Sequence, residues 1–201
     1  MTSVGQTRLP AAERRQAIVE AALPVFVRSS YAGATTAEIA RAAGVSEPIL
    51  YRHFGSKREL FFACLDRAWD ELREAWKAKM AALPAHEAVS AIGQTALNLR
   101  KQRTLLPNLW VQALSEAGVD PVIRKHLQEQ MREVHDFVAG TIRDSQAAGG
   151  VAADRDPDAE AWIFIAGGLL VSVADRLGGV LGHEDFTAIA TQRYRWLTGA
   201  S

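Results

Sequence analysis

Apolar residues recur at three- and four-residue spacing along nearly the whole chain, as in Ile18, Ala21, Ala22, Val25 and Phe26, and no stretch sustains the strict alternation of a strand. Such a pattern buries itself only by packing helix against helix, so the chain reads as all-α. Glycine and proline punctuate it at Tyr31-Ala32-Gly33, Gly44, Gly55, Leu83-Pro84, Leu106-Pro107, Gly118 to Pro121, Gly149 to Pro157 and Gly178 to Gly182, giving about nine helices. Pro24 falls inside the first pattern, where it removes a backbone donor and crowds the carbonyl one turn earlier. It either kinks that helix or marks it as shorter than its periodicity.

With 201 residues, 48% of them hydrophobic, the chain can bury the core of one large domain or two small ones. It opens without the charged-then-apolar order of a secretory signal, and no uninterrupted apolar run approaches the roughly 18 residues of a membrane span, so a cytoplasmic protein is expected. Cys64 is the single cysteine, which permits neither an intrachain disulfide nor a multi-cysteine zinc site and suits a role in helix packing. Net charge is zero but unevenly spread: residues 1–60 hold eight bases and five acids, the remainder 15 bases and 18 acids. A basic head on an acidic body fits phosphate contact confined to the head.

Local signals between Ala34 and Leu60 come in an informative order. Thr35-Thr36-Ala37-Glu38 fits a capping box that opens a short helix carrying Ile39, Ala40 and Ala43 inward. Gly44 ends it, Val45 is a buried turn residue, and Ser46 is a second N-cap that opens another short helix through Phe54, with Pro48 tolerated in its first turn. Ser56-Lys57-Arg58-Glu59 is a third cap, again a capping box, and begins a long helix. Two short helices joined by a tight glycine turn make a helix-turn-helix. In its second helix Leu50 and Phe54 anchor to the core and leave Glu47, Pro48, Ile49, Tyr51, Arg52 and His53 on or near the open side. Placed in a major groove, Glu47 would accept from cytosine, and Pro48 or Ile49 would pack on thymine methyls. Thr36, Tyr51, His53 and Lys57 suit phosphate, Lys57 doubly so at a helix N-terminus, while a purely structural Tyr51 remains open.

These residues, from Thr35-Thr36-Ala37-Glu38-Ile39-Ala40 through Gly44-Val45-Ser46 and Leu50-Tyr51-Arg52-His53-Phe54 to Lys57-Arg58-Glu59-Leu60, resemble the DNA-binding domain of the tetracycline-repressor (TetR) family. The similarity is dense over about residues 11–62. It implies that Thr36, Tyr51, His53 and Lys57 meet phosphates, that Ser46 to Ile49 lie nearest the bases, and that residues 1–60 form a DNA-binding domain. The chain departs from the family at Pro24, and at Ala37, where some members place a base-reading basic residue; the latter implies a different operator.

Beyond residue 60 the resemblance fades, and it implies only in general terms that residues 61–201 form a helical effector-binding and dimerisation domain, with the last two long helices pairing across a dimer. Here those are Ala159 to Gly178 and Glu184 to Leu197. The first is apolar nearly all round, so it should be buried on several sides, and Gly167-Gly168 would admit a partner helix closely. Phe164, Gly167, Gly168, Val171 and Trp196 are the expected dimer residues. Bulky side chains available to line an apolar effector site include Met80, Leu97, Leu106, Leu114, Met131 and Phe137, with Gln112 and His126 as polar fixtures. Trp69, Trp76, Trp110, His135 and Trp162 are the candidates singled out.

Catalytic spacings are missing. Gly44-Val45-Ser46-Glu47-Pro48 fails the hydrolase elbow at its last position, His86-Glu87 and His183-Glu184 lack a second histidine one turn on, and Gly55-Ser56-Lys57 has the wrong order for a phosphate loop. The expectation is therefore a non-enzymatic regulator, without cofactor or metal. It would be a homodimer that binds a pseudo-palindromic double-stranded operator, as a repressor by what the family resemblance implies, and is released by a small hydrophobic effector. The competing reading is an all-α dimeric ligand-binding module whose head contacts a protein rather than DNA.

Overall fold

The computed structural model describes residues 10–89, 105–178 and 180–199, so Leu97 and the side chain of Leu106 lie outside the described residues. The described residues form α1 (Ala11–Gly33), α2 (Thr36–Ala42), α3 (Glu47–His53), α4 (Lys57–Ala81), α5 (Leu105–Ala117), α6 (Pro121–Ala147), α7 (Pro157–Leu177) and α8 (His183–Thr198). A 3₁₀ turn spans Ala85–Glu87, and no strand occurs among the described residues. The chain is all-α, as its periodicity requires. It divides inside α4 into two compact units, Met1–Arg67 and Ala68–Ser201.

In the first unit α1 buries Ile18, Val19, Ala22, Leu23, Val25 and Phe26. Against the unit's core come Ile39 and Ala40 of α2, Leu50 of α3, Phe54, and Leu60, Phe61, Cys64 and Leu65 of α4, all at most 3% exposed. Phe61 meets Phe26 edge-on with centroids 5.0 Å apart and Tyr31 at 4.9 Å. α1 neither ends nor loses helical geometry at Pro24. Its break lies at Ser30, whose φ of 62° and ψ of 173° depart from the helix and whose Oγ accepts from the Gly33 amide at 3.3 Å. Pro24 is tolerated because it and Glu20, whose carbonyl loses its partner, both lie on the exposed side, where that carbonyl is open to solvent.

In the second unit α5, α6 and α7 pack on one another. Leu109, Ala113, Ile123, Leu127, Val138, Ala139, Ile142 and Ala161 are buried there. The Leu106-Pro107 signal falls at the start of α5, which begins at Leu105 and holds Pro107 in its first turn, where no intrahelical donor is missed. Asp120 caps α6 through the amides of Val122 and Ile123, and Asp156 caps α7 through those of Asp158 and Ala159. Each cap is followed by a proline preset for the helix. The turn after α6 packs so closely on the 3₁₀ segment that a Cβ at Gly150 would collide with the His86 carbonyl group.

Within the protomer α7 is not buried on several sides. Trp162, Ile163, Leu170, Val173 and Leu177 are 43–65% exposed along it. By length and composition Pro157–Ala174 is long and apolar enough to cross a membrane, with mean hydropathy 1.3 and 22% of the stretch buried. The count of uninterrupted apolar residues missed this, since Asp158 and Glu160 interrupt the run without lowering its mean below a span's. Glu160 is 5% exposed, accepts from Trp196 Nε1 at 2.7 Å and pairs with Arg193, which ties this end of α7 to α8 rather than to lipid.

Candidate nucleic-acid interface

The helix-turn-helix is built by its caps. Thr35 Oγ1 accepts from the Glu38 amide at 3.2 Å, and Glu38 Oε2 accepts from the Thr35 amide at 3.3 Å, the reciprocal pair that starts α2. Gly44 then takes φ of 64°, and the Val45 amide returns to the Ala40 carbonyl at 2.9 Å. Val45 and Ala43 are only half-buried in this turn. Ser46 occupies the cap position of α3, yet its hydroxyl makes no cap bond. Pro48 offers no amide, and the Ile49 amide donates to the Ser46 carbonyl at 2.9 Å, so none is left for the side chain. At α4, Ser56 Oγ accepts from the Glu59 amide at 3.1 Å, but Glu59 reaches back to the Gly55 amide at 2.8 Å, one residue earlier than a capping box requires.

Leu50 and Phe54 are fully buried, which fixes the rotation of α3. Ser46, Glu47, Pro48, Tyr51 and Arg52 are exposed; Thr36, Ile49 and His53 are half-buried. Three of these side chains form a chain across the two helices. Tyr51 Oη donates to Thr36 Oγ1 at 3.4 Å, and Thr36 Oγ1 donates to Glu47 Oε2 at 2.7 Å. Lys57 has a role that sequence spacing missed. Its Nζ donates to the carbonyls of Tyr31 and Ala34 at 2.8 and 3.0 Å and stands 4.6 Å over the Tyr31 ring. That ammonium satisfies the C-terminal end of α1, a contact 26 residues away in sequence that no local pattern signals.

In the second unit Trp69 and Trp76 are buried together, centroids 5.9 Å apart and edge-on. Phe137 stacks on Trp76 at 5.8 Å, and Phe164 meets Trp76 edge-on at 5.6 Å. Phe164, expected at a dimer interface, is thus half-buried against the unit's own aromatic cluster. Trp110 is buried with its indole N–H donated to Gln130. His135 is buried with Nδ1 3.0 Å from Asp136 Oδ1 and Nε2 3.2 Å from the Asp158 carbonyl, and Trp162 lies tilted against its ring at 4.4 Å. Gly167 and Gly168 have nothing of the protomer within 4 Å of an added Cβ. Val171 is half-buried. Trp196 is 51% exposed beneath the Arg155 guanidinium, 3.9 Å above its ring. Among the described residues no group of His, Cys, Asp or Glu could hold a metal ion. Burial pushes the Cys64 thiol far above its usual range, which keeps it protonated and inert.

Two family profiles match this chain: one described as bacterial regulatory proteins, tetR family, over residues 18–64, and one described as BetI-type transcriptional repressor, C-terminal, over residues 84–174. The HTH-type transcriptional activator FasR of Mycolicibacterium smegmatis is 52% identical over 65 residues, 32% of this chain and 30% of that protein. The HTH-type transcriptional regulator BetI of Rhizobium meliloti is 34% identical over 115 residues, 57% of each chain. The matches thus span less than two thirds of the length of these two relatives. In fold, the chain is similar to a TetR-family transcriptional regulator from Rhodococcus sp., with a TM-score of 0.81 at 21% identity over 93% of this chain and 99% of that one. It is likewise similar to a transcriptional regulator from Saccharomonospora viridis in complex with choline, with a TM-score of 0.74 at 22% identity over 90% and 95%. The chain belongs to the TetR family, whose members are DNA-binding transcription regulators and not enzymes.

Proposed function

We propose that this chain is a dimeric, ligand-responsive transcription regulator that reads a pseudo-palindromic operator through α3. The observation that carries this is the exposure of Glu47, Pro48, Tyr51 and Arg52 on a short helix whose opposite face is locked by Leu50 and Phe54. A two-fold dimer would place two copies of α3 in successive major grooves, with half-site centres about 34–36 Å or a multiple apart. Ser46, Glu47, Pro48 and Ile49 face the bases in this arrangement; Thr36, Tyr51, His53 and Lys57 lie towards the backbone. The exposed apolar side of α7, with Gly167, Gly168 and Val171, supports pairing with a second copy, joined by the half-exposed Trp196 of α8, which bonds to Glu160 near the start of α7. Action in the cytoplasm follows from a DNA target.

Repression is supported by the BetI-type repressor description of the C-terminal profile, and effector response by the choline bound to a neighbour of the same fold. An effector in the second unit would act through its differential affinity for DNA-competent and DNA-incompetent states, with α4, common to both units, as the covalent connection. Titration of a duplex library with purified protein at graded salt tests the DNA-binding step. Counterion release predicts that log K falls steeply and linearly with log salt, whereas a flat dependence contradicts it.

A further inference from the structure

Among the described residues, three buried N–H donors of α4 have no acceptor: Nε1 of Trp69, Nε of Arg73 and Nε1 of Trp76. Their spacing of four and three residues places them on one face of the helix. The neighbouring polar chemistry does not serve them. Arg73 uses a terminal nitrogen on Asp70 at 2.5 Å, and its Nε is 3.9 Å from Glu74, beyond a hydrogen bond. Two other indoles of the same unit are satisfied, Trp110 by Gln130 and Trp196 by Glu160. Indole and guanidinium N–H groups only donate, and buried donors in folded proteins are almost always paired.

A face with surplus donors calls for a ligand that brings acceptor oxygens. A quaternary ammonium does not fit it. Such a cation brings no acceptor oxygen for the three N–H groups. The Arg73 guanidinium, 5.7 Å from the Trp69 ring centre, would also repel a second cation. We propose that this face of α4 is the head-group end of the effector site and takes an organic carboxylate on an apolar body. The oxygens accept from Trp69, Arg73 and Trp76, while the body lies against the half-buried rings of Phe137 and Phe164. The proposal rests on reading the chain as effector-responsive, and its ligand class is opposite in charge to the choline bound by the neighbouring fold.

The test uses the full-length protein labelled with ¹⁵N-tryptophan and titrated with octanoate, decanoate and dodecanoate below their micelle concentrations. Alcohols and alkyltrimethylammonium ions of matched chain length serve as comparisons. The carboxylates should move the indole N–H resonances of Trp69 and Trp76 downfield, each assigned by its Trp→Phe variant. They should bind at least about tenfold more tightly than the ammonium ions, and Arg73→Gln should lower carboxylate affinity at least about tenfold. Trp76→Phe keeps a ring in the cluster and should also weaken binding, which guards against a misfolded Arg73 variant. Unmoved indole resonances, equal binding of the ammonium ions, or carboxylate affinity unchanged in folded Arg73→Gln and Trp76→Phe would overturn the proposal. Operator binding measured alongside separates the two levels. Carboxylate that meets these criteria without loosening the operator leaves the site standing and removes the effector reading. An ammonium ion that loosens the operator without moving these indoles does the reverse.

Discussion

Thr36, the first residue of α2, donates its hydroxyl to Oε2 of Glu47, the first residue of α3, at 2.7 Å. Tyr51 donates in turn to that hydroxyl, so the starts of both helices and the exposed flank of α3 are held by one chain of hydrogen bonds. A carboxylate anchored through one oxygen keeps a fixed direction for the other, which is what acceptance from a cytosine amine requires. Glu47→Ala should therefore relax base preference at one position per half-site by about 1–3 kcal/mol of discrimination. Thr36→Val should relax the same position less. Competition binding with operators substituted one position at a time measures both, and a loss spread evenly over all positions would contradict the assignment.

Lys57 sits between two roles. Its ammonium is committed to the carbonyls of Tyr31 and Ala34 in the described conformation, so removing it uncaps α1 and takes a cation from the Tyr31 face. Lys57→Ala should lower stability by about 1–2 kcal/mol, or about 2–4 °C in Tm for each kcal/mol at this chain length, as well as weakening all duplexes alike. Thermal unfolding beside duplex titration separates the effects. Weakened DNA binding with unchanged stability would make the carbonyl contacts incidental.

The apolar side of α7 gives a prediction about assembly. Leu170 and Val173 are each 43% exposed, whereas Phe164 packs on Trp76. Leu170→Glu should dissociate the proposed dimer and leave the protomer folded, while Phe164→Ala should cost protomer stability less than the about 3–5 kcal/mol of a fully buried phenylalanine, because its ring is half-buried. Sedimentation velocity with circular dichroism distinguishes them. A Leu170→Glu protein that remains dimeric would place the interface elsewhere.

Gly150 gives a prediction for the second unit. Its missing Cβ leaves room for the His86 carbonyl, which accepts from Ser145 Oγ at 3.3 Å. Gly150→Ala forces backbone against backbone and should destabilise the protein by about 1–3 kcal/mol, read from its urea midpoint. Gly167→Ala, which meets nothing within the protomer, should leave monomer stability nearly unchanged.

The head was legible because its signals are local. The Thr35–Glu38 box, Gly44 at positive φ, and the anchors Leu50 and Phe54 each depend on neighbours within one or two turns. The failures involve partners distant in sequence or competing bonds. Ser46 loses its cap bond because Pro48 lacks an amide and Ile49 donates to a carbonyl, and Lys57 turns towards α1, which lies a helix-turn-helix away along the chain. In the second unit, aromatic residues could be named but not sorted. Nothing in their spacing says that Trp110 is satisfied by Gln130 while Trp69 and Trp76 are not. The apolar content of α7 was equally plain, but composition alone does not say whether the protomer or a second copy covers it.

Selection of bound duplexes from a randomised pool at near-physiological salt, followed by sequencing of the retained fraction, tests the central claim most directly. The account predicts enrichment of an inverted repeat whose half-sites are centred about one helical turn, or a whole number of turns, apart. Retention of no sequence above the starting pool by a folded dimer would contradict it, and would assign the exposed face of α3 to a protein partner instead.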